Sequence, residues 1–299
     1  DDDGIRFTMG FVDRVARPAD NKVAAHELSS LANPFKTTIP SFIGAVDKGL
    51  VSVGAVAAPI FPSLVMPLAR KRLRQMVSHL VLDAEGKALN AKLTEAKEQG
   101  YQLNLNLLGE AVLGEAEAKS RLERTRQMLQ NPLVTYASIK ASSVCAQLNP
   151  WDIQGNIERL KDRLRPLYRE AMKRSPHAFI NMDMEEYKDL RLTIDLFKEL
   201  LSEDEFMPLE AGIVLQAYLP DTFDALVELA EFAKERRAKG GAKIKIRLVK
   251  GANLSMERVE AQLHDWAQAP YLSKEDVDAN YYRLMDYIFQ PEHADNVRI

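Results

Sequence analysis

Ile244 to Ala252 reads IKIRLVKGA. Ile244, Ile246, Leu248 and Val249 form a short apolar run between helical patterns, which suits a parallel strand covered on both faces. Arg247 lies inside that run. A guanidinium in a packed interior costs several kcal/mol unless anions or hydrogen-bond acceptors meet it. Lys250 and Gly251 follow. The glycine permits a tight turn and close backbone approach to a ligand. Arginine, lysine and open backbone at one strand end make an anion and phosphate clamp. The competing reading pairs Arg247 with a carboxylate on a neighbouring strand and leaves Lys250 in water.

Working outward, strand and helix patterns alternate from residue 101 onward. Residues 102–108 (QLNLNLL) form a first strand, with a helix over 110–130. Residues 134–141 (VTYASIKA) form a second, followed by a helix over 152–173. There Ile153, Ile157, Leu160, Leu164, Leu167 and Ala171 recur at helical spacing. Residues 178–183 (AFINMD) precede a helix over 186–201. Residues 212–218 (GIVLQAY) precede one over 221–238, with Asp221 at the N-cap position. After 244–250 come helices near 256–266 and 274–289, and 296–299 (NVRI) starts a sixth strand. Strand starts about 30 to 50 residues apart are the rhythm of βα units. Repeated units of this kind build a closed (β/α)8 barrel or an open doubly wound sheet. No G-x-G-x-x-G turn follows the first strand, so the expected fold is α/β, a TIM-type barrel. Six strands leave such a barrel two short, so the domain is expected to be incomplete in this chain; a six-stranded open sheet is the alternative.

Residues 1–100 read as an N-terminal helical arm and 101–299 as the barrel. In the arm, 5–24 and 64–99 have helical composition, and Met76, Leu80, Leu89 and Leu93 suit a core. The stretch 50–69 carries no charge, and Arg70, Lys71, Arg72 and Arg74 follow it. Its length is near that of a membrane span of ~20 residues. Pro59, Pro62 and Pro67 would break such a helix repeatedly, so an apolar arm packed on the domain is expected.

Composition narrows the function. With 46% hydrophobic and 28% charged residues the chain is of globular type. Its net charge of −3 argues against a nucleic-acid partner. The single Cys145 excludes an intrachain disulfide framework and fits a reducing compartment. The five histidines show no metal-binding spacing.

In a barrel, chemistry projects from the C-terminal ends of the strands. Those ends carry Asn106 and Glu110, Lys140, Asp183, Gln216, Arg247 and Lys250. Each has an ordinary structural role open to it: a solvated strand end for Lys140, a helix cap for Asp183, backbone satisfaction for Gln216, a first-turn anion for Glu110. Gathered at one mouth, they form an anion clamp, an opposing carboxylate and an amide, suited to an anionic cofactor and a charged small substrate.

The segments NLLGEAVLGE, SIKASS, NMDMEEYKDL, GIVLQAYLP and IRLVKGANLSMERVEAQ resemble the successive strand-end motifs of the proline dehydrogenase family, in particular the flavoenzyme domain of bifunctional proline utilisation A proteins. The likeness runs from about residue 101 to 299. It implies a distorted (β/α)8 barrel that binds FAD and oxidises L-proline to Δ1-pyrroline-5-carboxylate by hydride transfer from C5 to flavin N5. By motif, Lys140 matches the lysine at the substrate carboxylate. Asp183 matches the active-site aspartate near the substrate amine, with Met184 beside the flavin. Gln216 matches a glutamine at the ring, and Arg247 the arginine near N5. Val249, Lys250, Gly251 and Ala252 match the turn along the cofactor, and Ser273 and Lys274 resemble a pair near the adenine end. Asn253 departs from an aromatic residue common after VKGA. The paired arginines of the final helix and a Thr-His-Asn turn are expected after Ile299. The resemblance also implies a quinone-type electron acceptor, peripheral contact with the inner membrane surface from the cytoplasm, and a pyrroline-5-carboxylate dehydrogenase domain in the parent chain. Two other classes compete on the residues alone: a Schiff-base lyase using Lys140 or Lys250 as nucleophile, and an inactive fragment serving as an interaction module.

Overall fold

The computed structural model describes residues 7, 9–33, 39–40, 43–77, 86–107 and 112–299. The chain divides into two compact units, the first ending at Asp83 and the second starting at Ala84.

The first unit is helical. A π-helical turn, Phe11–Ala16, precedes α1 (Asn21–Ala32), α2 (Ala45–Ala57) and α3 (Pro62–Val77). The helix expected over 5–24 is interrupted before α1, where Asp20 caps the new helix through the N–H groups of Lys22 and Val23. Val15, Ala24, Ala25, Leu28, Ala32, Ala55, Ala58 and Met66 are buried together. The prolines do not break the 50–69 stretch as often as expected. Pro62 opens α3, and Pro67 sits inside it, where the helix continues without the bond its N–H would have donated. Among the described residues no helix is long and apolar enough to cross a membrane. Met76 and Leu80 lie outside the residues whose side chains are described, as does Glu110.

The second unit begins with α4 (Gly86–Glu98) and then alternates strand and helix: β1 (Leu105–Asn106), α5 (Glu115–Gln130), β2 (Tyr136–Ile139), α6 (Ala141–Val144), α7 (Ile153–Met172), β3 (Phe179–Met182), α8 (Leu190–Leu201), β4 (Ala211–Gln216), α9 (Thr222–Ala238), β5 (Ile244–Val249), α10 (Leu254–His264), α11 (Lys274–Ile288) and β6 (Val297–Arg298). The six strands are all parallel and lie in sequence order, each beside the next. That order is what right-handed βα crossovers of constant direction produce. Every expected strand is present; β4 starts one residue early, at Ala211, and the others are shorter than expected, most of all β1. Outward residues of β2 to β5, Ala137, Ile180, Met182, Ile213, Leu215 and Ile246, are buried. Asp152 caps α7 through Gly155 N–H at 3.0 Å. Asp221 precedes α9 without capping it.

Candidate active site

Strand periodicity is two, so residues two apart share a face. On β1 the inward set is Asn104 and Asn106; on β2, Tyr136, Ser138 and then Lys140; on β3, Phe179, Asn181 and then Asp183; on β4, Gly212, Val214 and Gln216; on β5, Lys245, Arg247 and Val249. The ladders align these sets: Tyr136 opposes Phe179, Ser138 opposes Asn181, Asn181 opposes Gly212, and Val214 opposes Arg247. Bulky branched residues usually fill such an interior. Here its middle is polar.

Asp183 is the centre. It is buried just past the end of β3, and its Oδ1 accepts from Arg247 Nη2 at 2.9 Å and from Asn181 Nδ2 at 2.8 Å. Its Oδ2 accepts from Asn106 Nδ2 at 3.2 Å. Burial pushes the Asp183 carboxyl above the usual carboxylate range; Arg247, Ser138, Asn181 and Lys140 pull the other way. Arg247 therefore meets its carboxylate across β4 rather than on an adjacent strand. Its Nε remains buried without a partner, as does Gln216 Oε1. Tyr136, packed edge-on against Phe179 at 4.8 Å between ring centres, lies under this pair. Burial pushes its phenol up, with Arg247 opposing and Asp183 reinforcing the shift.

The turn after β5 is fastened to β4. Ala217 N–H donates to Val249 O at 2.7 Å and Tyr218 N–H to Lys250 O at 2.8 Å, so the ladder continues past both strand ends. Gly251 adopts φ +128° and sits on the Tyr218 ring, where a Cβ would come within 2.5 Å of it. Glu257, buried on α10, accepts from Tyr187 N–H at 2.7 Å and from the Tyr218 hydroxyl at 3.4 Å. One carboxylate thereby ties the segments after β3 and β4 to the helix after β5. Glu185 does similar work between β2 and β3, accepting from Ser142 N–H at 3.1 Å.

Asp183, Arg247, Gln216 and Lys140 are brought to one mouth, with Met184 buried beside Asp183. The clamp expected from Arg247 and Lys250 does not form. Three residues is an odd step along a strand, so the two side chains leave by opposite faces. Lys250 is exposed and pairs with Asp278, which also takes Lys274 at 2.6 Å. That setting in water is not the dry pocket a Schiff-base lysine needs. Ser273 serves as the N-cap of α11, accepting from Asp276 N–H at 3.1 Å. Val249 ends β5 at the mouth and Gly251 and Ala252 form the turn after it, while Ser273 and Lys274 belong to the α11 surface. Asn104, Ser138 and Asn181 escaped the sequence reading, although the alternation that selected Asp183 points them inward too. Glu257 carried no local signal at all. Among the described residues no group of three or more histidine, cysteine or acidic side chains is placed to hold a metal ion.

A family model described as proline dehydrogenase matches residues 89–299. The bifunctional protein PutA of Klebsiella aerogenes is 28% identical over 204 residues, 64% of this chain and 15% of that protein. The structure of proline utilization A from Corynebacterium freiburgense matches 87% of this chain and 26% of its own at 64% identity and a TM-score of 0.73. Proline utilization A from Bdellovibrio bacteriovorus, inactivated by N-propargylglycine, matches 100% of this chain and 30% of its own at 26% identity and a TM-score of 0.74. The chain thus spans under a third of the length of these relatives. The matched family model covers every strand of the sheet and both members of the Asp183–Arg247 pair, so the chain belongs to the proline dehydrogenase family.

Proposed function

We propose that this chain carries the FAD-dependent oxidation of L-proline to Δ1-pyrroline-5-carboxylate. The observation that carries the reading is the Asp183–Arg247 pair at the strand mouth, its carboxylate buried and its guanidinium partly exposed, flanked by two buried hydrogen-bonding atoms with no protein partner, Arg247 Nε and Gln216 Oε1. One is a donor and one an acceptor, which suits a flavin ring edge that presents both kinds of atom. Gly251, pressed on Tyr218, lets the 249–252 turn pass close to a cofactor where a side chain would intrude. These residues fit FAD.

When bound, the flavin supplies the two-electron acceptor for the hydride leaving proline C5. The protein supplies position and charge. Arg247 stabilises negative charge developing at the mouth. Lys140 offers its ammonium to the substrate carboxylate. The substrate nitrogen must lose a proton as the C5 hydride leaves and the C=N bond forms. Asp183 Oδ2, which accepts from Asn106 Nδ2 at 3.2 Å, is the proposed acceptor of that proton, directly or through water. By the family likeness, a quinone-type molecule reached through peripheral membrane contact accepts the electrons. A pyrroline-5-carboxylate dehydrogenase domain in the parent chain consumes the product.

The test uses the purified protein reconstituted with FAD, following proline-dependent dye reduction. Arg247→Met should lower kcat about 100-fold or more and lower the flavin potential, with the melting temperature changing much less in proportion. Unchanged turnover with a large loss of melting temperature would make Arg247 a structural residue.

A further inference from the structure

Asn181 is fully buried inside the barrel, one step below Asp183 on the same face of β3. Its amide nitrogen reaches two acceptors, Asp183 Oδ1 at 2.8 Å and Ser138 Oγ at 3.4 Å. Ser138 Oγ also accepts from Asn104 Nδ2 at 2.8 Å. With both its lone pairs engaged, the serine hydroxyl proton is free to point at Asp183, where it helps hold the carboxyl down. Asn181 Oδ1 has no partner and faces Gly212, where a Cβ would come within 2.7 Å of it. Gly212 is the only residue type that leaves this amide its place. A wholly buried amide with one unsatisfied oxygen costs stability, and a leucine of similar size would fill the same space without that cost.

From this geometry we infer that Asn181 is a positioning residue that assigns different tasks to the two oxygens of Asp183. This rests on the reading of Asp183 as the proton acceptor. Oδ1 is saturated by Arg247 and Asn181 and is thereby fixed. Oδ2 receives Asn106 at the longer distance of 3.2 Å and, among the described residues, carries no arginine, so it is the less tightly held oxygen and the one open to the ligand. Without Asn181, the carboxylate loses one of the two donors on Oδ1, rotates about its Cβ–Cγ bond and gains a proton more readily. The charged and titratable groups facing Asp183 are Arg247 from β5, Lys140 from the end of β2 and Tyr136 from β2. None of them is altered by a change at residue 181.

The experiment compares wild type, Asn181→Leu and Asn181→Asp in the FAD-reconstituted protein. The acid limb of the kcat/KM profile for L-proline should move to higher pH by about one to two units in Asn181→Leu, the equivalent of one charge-assisted hydrogen bond. It should move further in Asn181→Asp, where two carboxyls share a site. Activity should recover towards the wild-type value as pH rises above the shifted limb. A uniform loss at every pH, with no displaced limb, overturns the proposal. A second readout needs no turnover: a double-mutant cycle of Asn181→Leu and Asp183→Asn in thermal unfolding at pH 8 and pH 4. The coupling should be present at pH 8 and shrink at pH 4; equal coupling at both means packing alone. If Asn181→Leu does not fold, the isosteric Asn181→Asp carries both measurements. Asp183→Ala separates the layers. If it leaves the profile unchanged, the Asp183 reading itself is wrong. If it abolishes activity while Asn181→Leu leaves the limb in place, only the present inference fails.

Discussion

At the scale of single residues, charge inside this protein is handled in two opposite ways. Arg247 and Asp183 are brought together near the mouth. Asp189 is crowded instead. Burial and the neighbouring Glu185 push its carboxyl up to about 6, with Lys188 opposing. A carboxyl with a raised folded-state pKa binds protons more tightly folded than unfolded. Its penalty is therefore absent below about pH 4, grows as pH rises towards 6, and is complete above that. Asp189→Asn should raise stability at pH 7.5 by about 1–3 kcal/mol, a rise of several °C, and change little at pH 4. Thermal unfolding at the two pH values decides the matter; an equal gain at both would mean that the charge is not responsible.

At the scale of elements, the joints between βα units depend on side chains that fork across them. Arg236, near the end of α9, is buried and donates to the carbonyls of Phe206 at 2.8 Å, Met207 at 2.9 Å, Leu209 at 2.9 Å and Ala242 at 3.1 Å, and to Leu201 O. These carbonyls end α8, form the approach to β4 and open the approach to β5. Burial pushes the guanidinium down to about 10, so it remains charged at neutral pH. Arg236→Leu leaves several buried carbonyls without a donor and should cost about 3–5 kcal/mol. Arg236→Lys keeps the charge but not the planar fork, and should recover only part of that. Urea unfolding measures both. Turnover per folded molecule should be unaffected, because Arg236 lies at the strand ends opposite the mouth. The cavity of about 930 Å³ at that end is lined by Tyr136, Phe179, Glu210, Lys245 and Arg298 among others, and the ion pair on its wall, Arg298 to Glu210 at 3.2 Å, is a solvated one.

At the scale of the whole barrel unit, stability is unevenly distributed across the sheet. β4 is buried at every residue and paired along its length on the β5 side. β1 and β6 are two residues each and pair on one side only. Amide exchange should accordingly be slowest at Ile213, Val214 and Leu215 and fastest in β1 and β6. Uniform protection over the six strands would contradict this gradient. The gradient suits the proposed function: Gln216 and the carbonyl that anchors Thr222 Oγ1 sit at the end of the most buried strand, while Asn106 approaches Asp183 from the weakest one.

The βα rhythm, the six strands and the inward set containing Lys140, Asp183, Gln216 and Arg247 were legible in the chain, because backbone geometry imposes periods of two and 3.6 that leave a local pattern of apolar residues. The same rule distinguishes Arg247 on β5 from Lys250 just past its end, an odd step away. What the pattern did not contain was who meets whom. Met182 opposes Ile213 and Val214 opposes Arg247, which puts Asp183 level with Arg247 across an intervening strand; that depends on the stagger of three separate segments. Asn181 reads as an ordinary interior residue until Gly212, 31 positions later, leaves room for its amide. Arg236 and Glu257 read as solvated charges on helices until the loops they pin fold against them. Such partners are selected by sheet twist and helix docking, which act between residues far apart in the chain and leave no mark on either stretch alone.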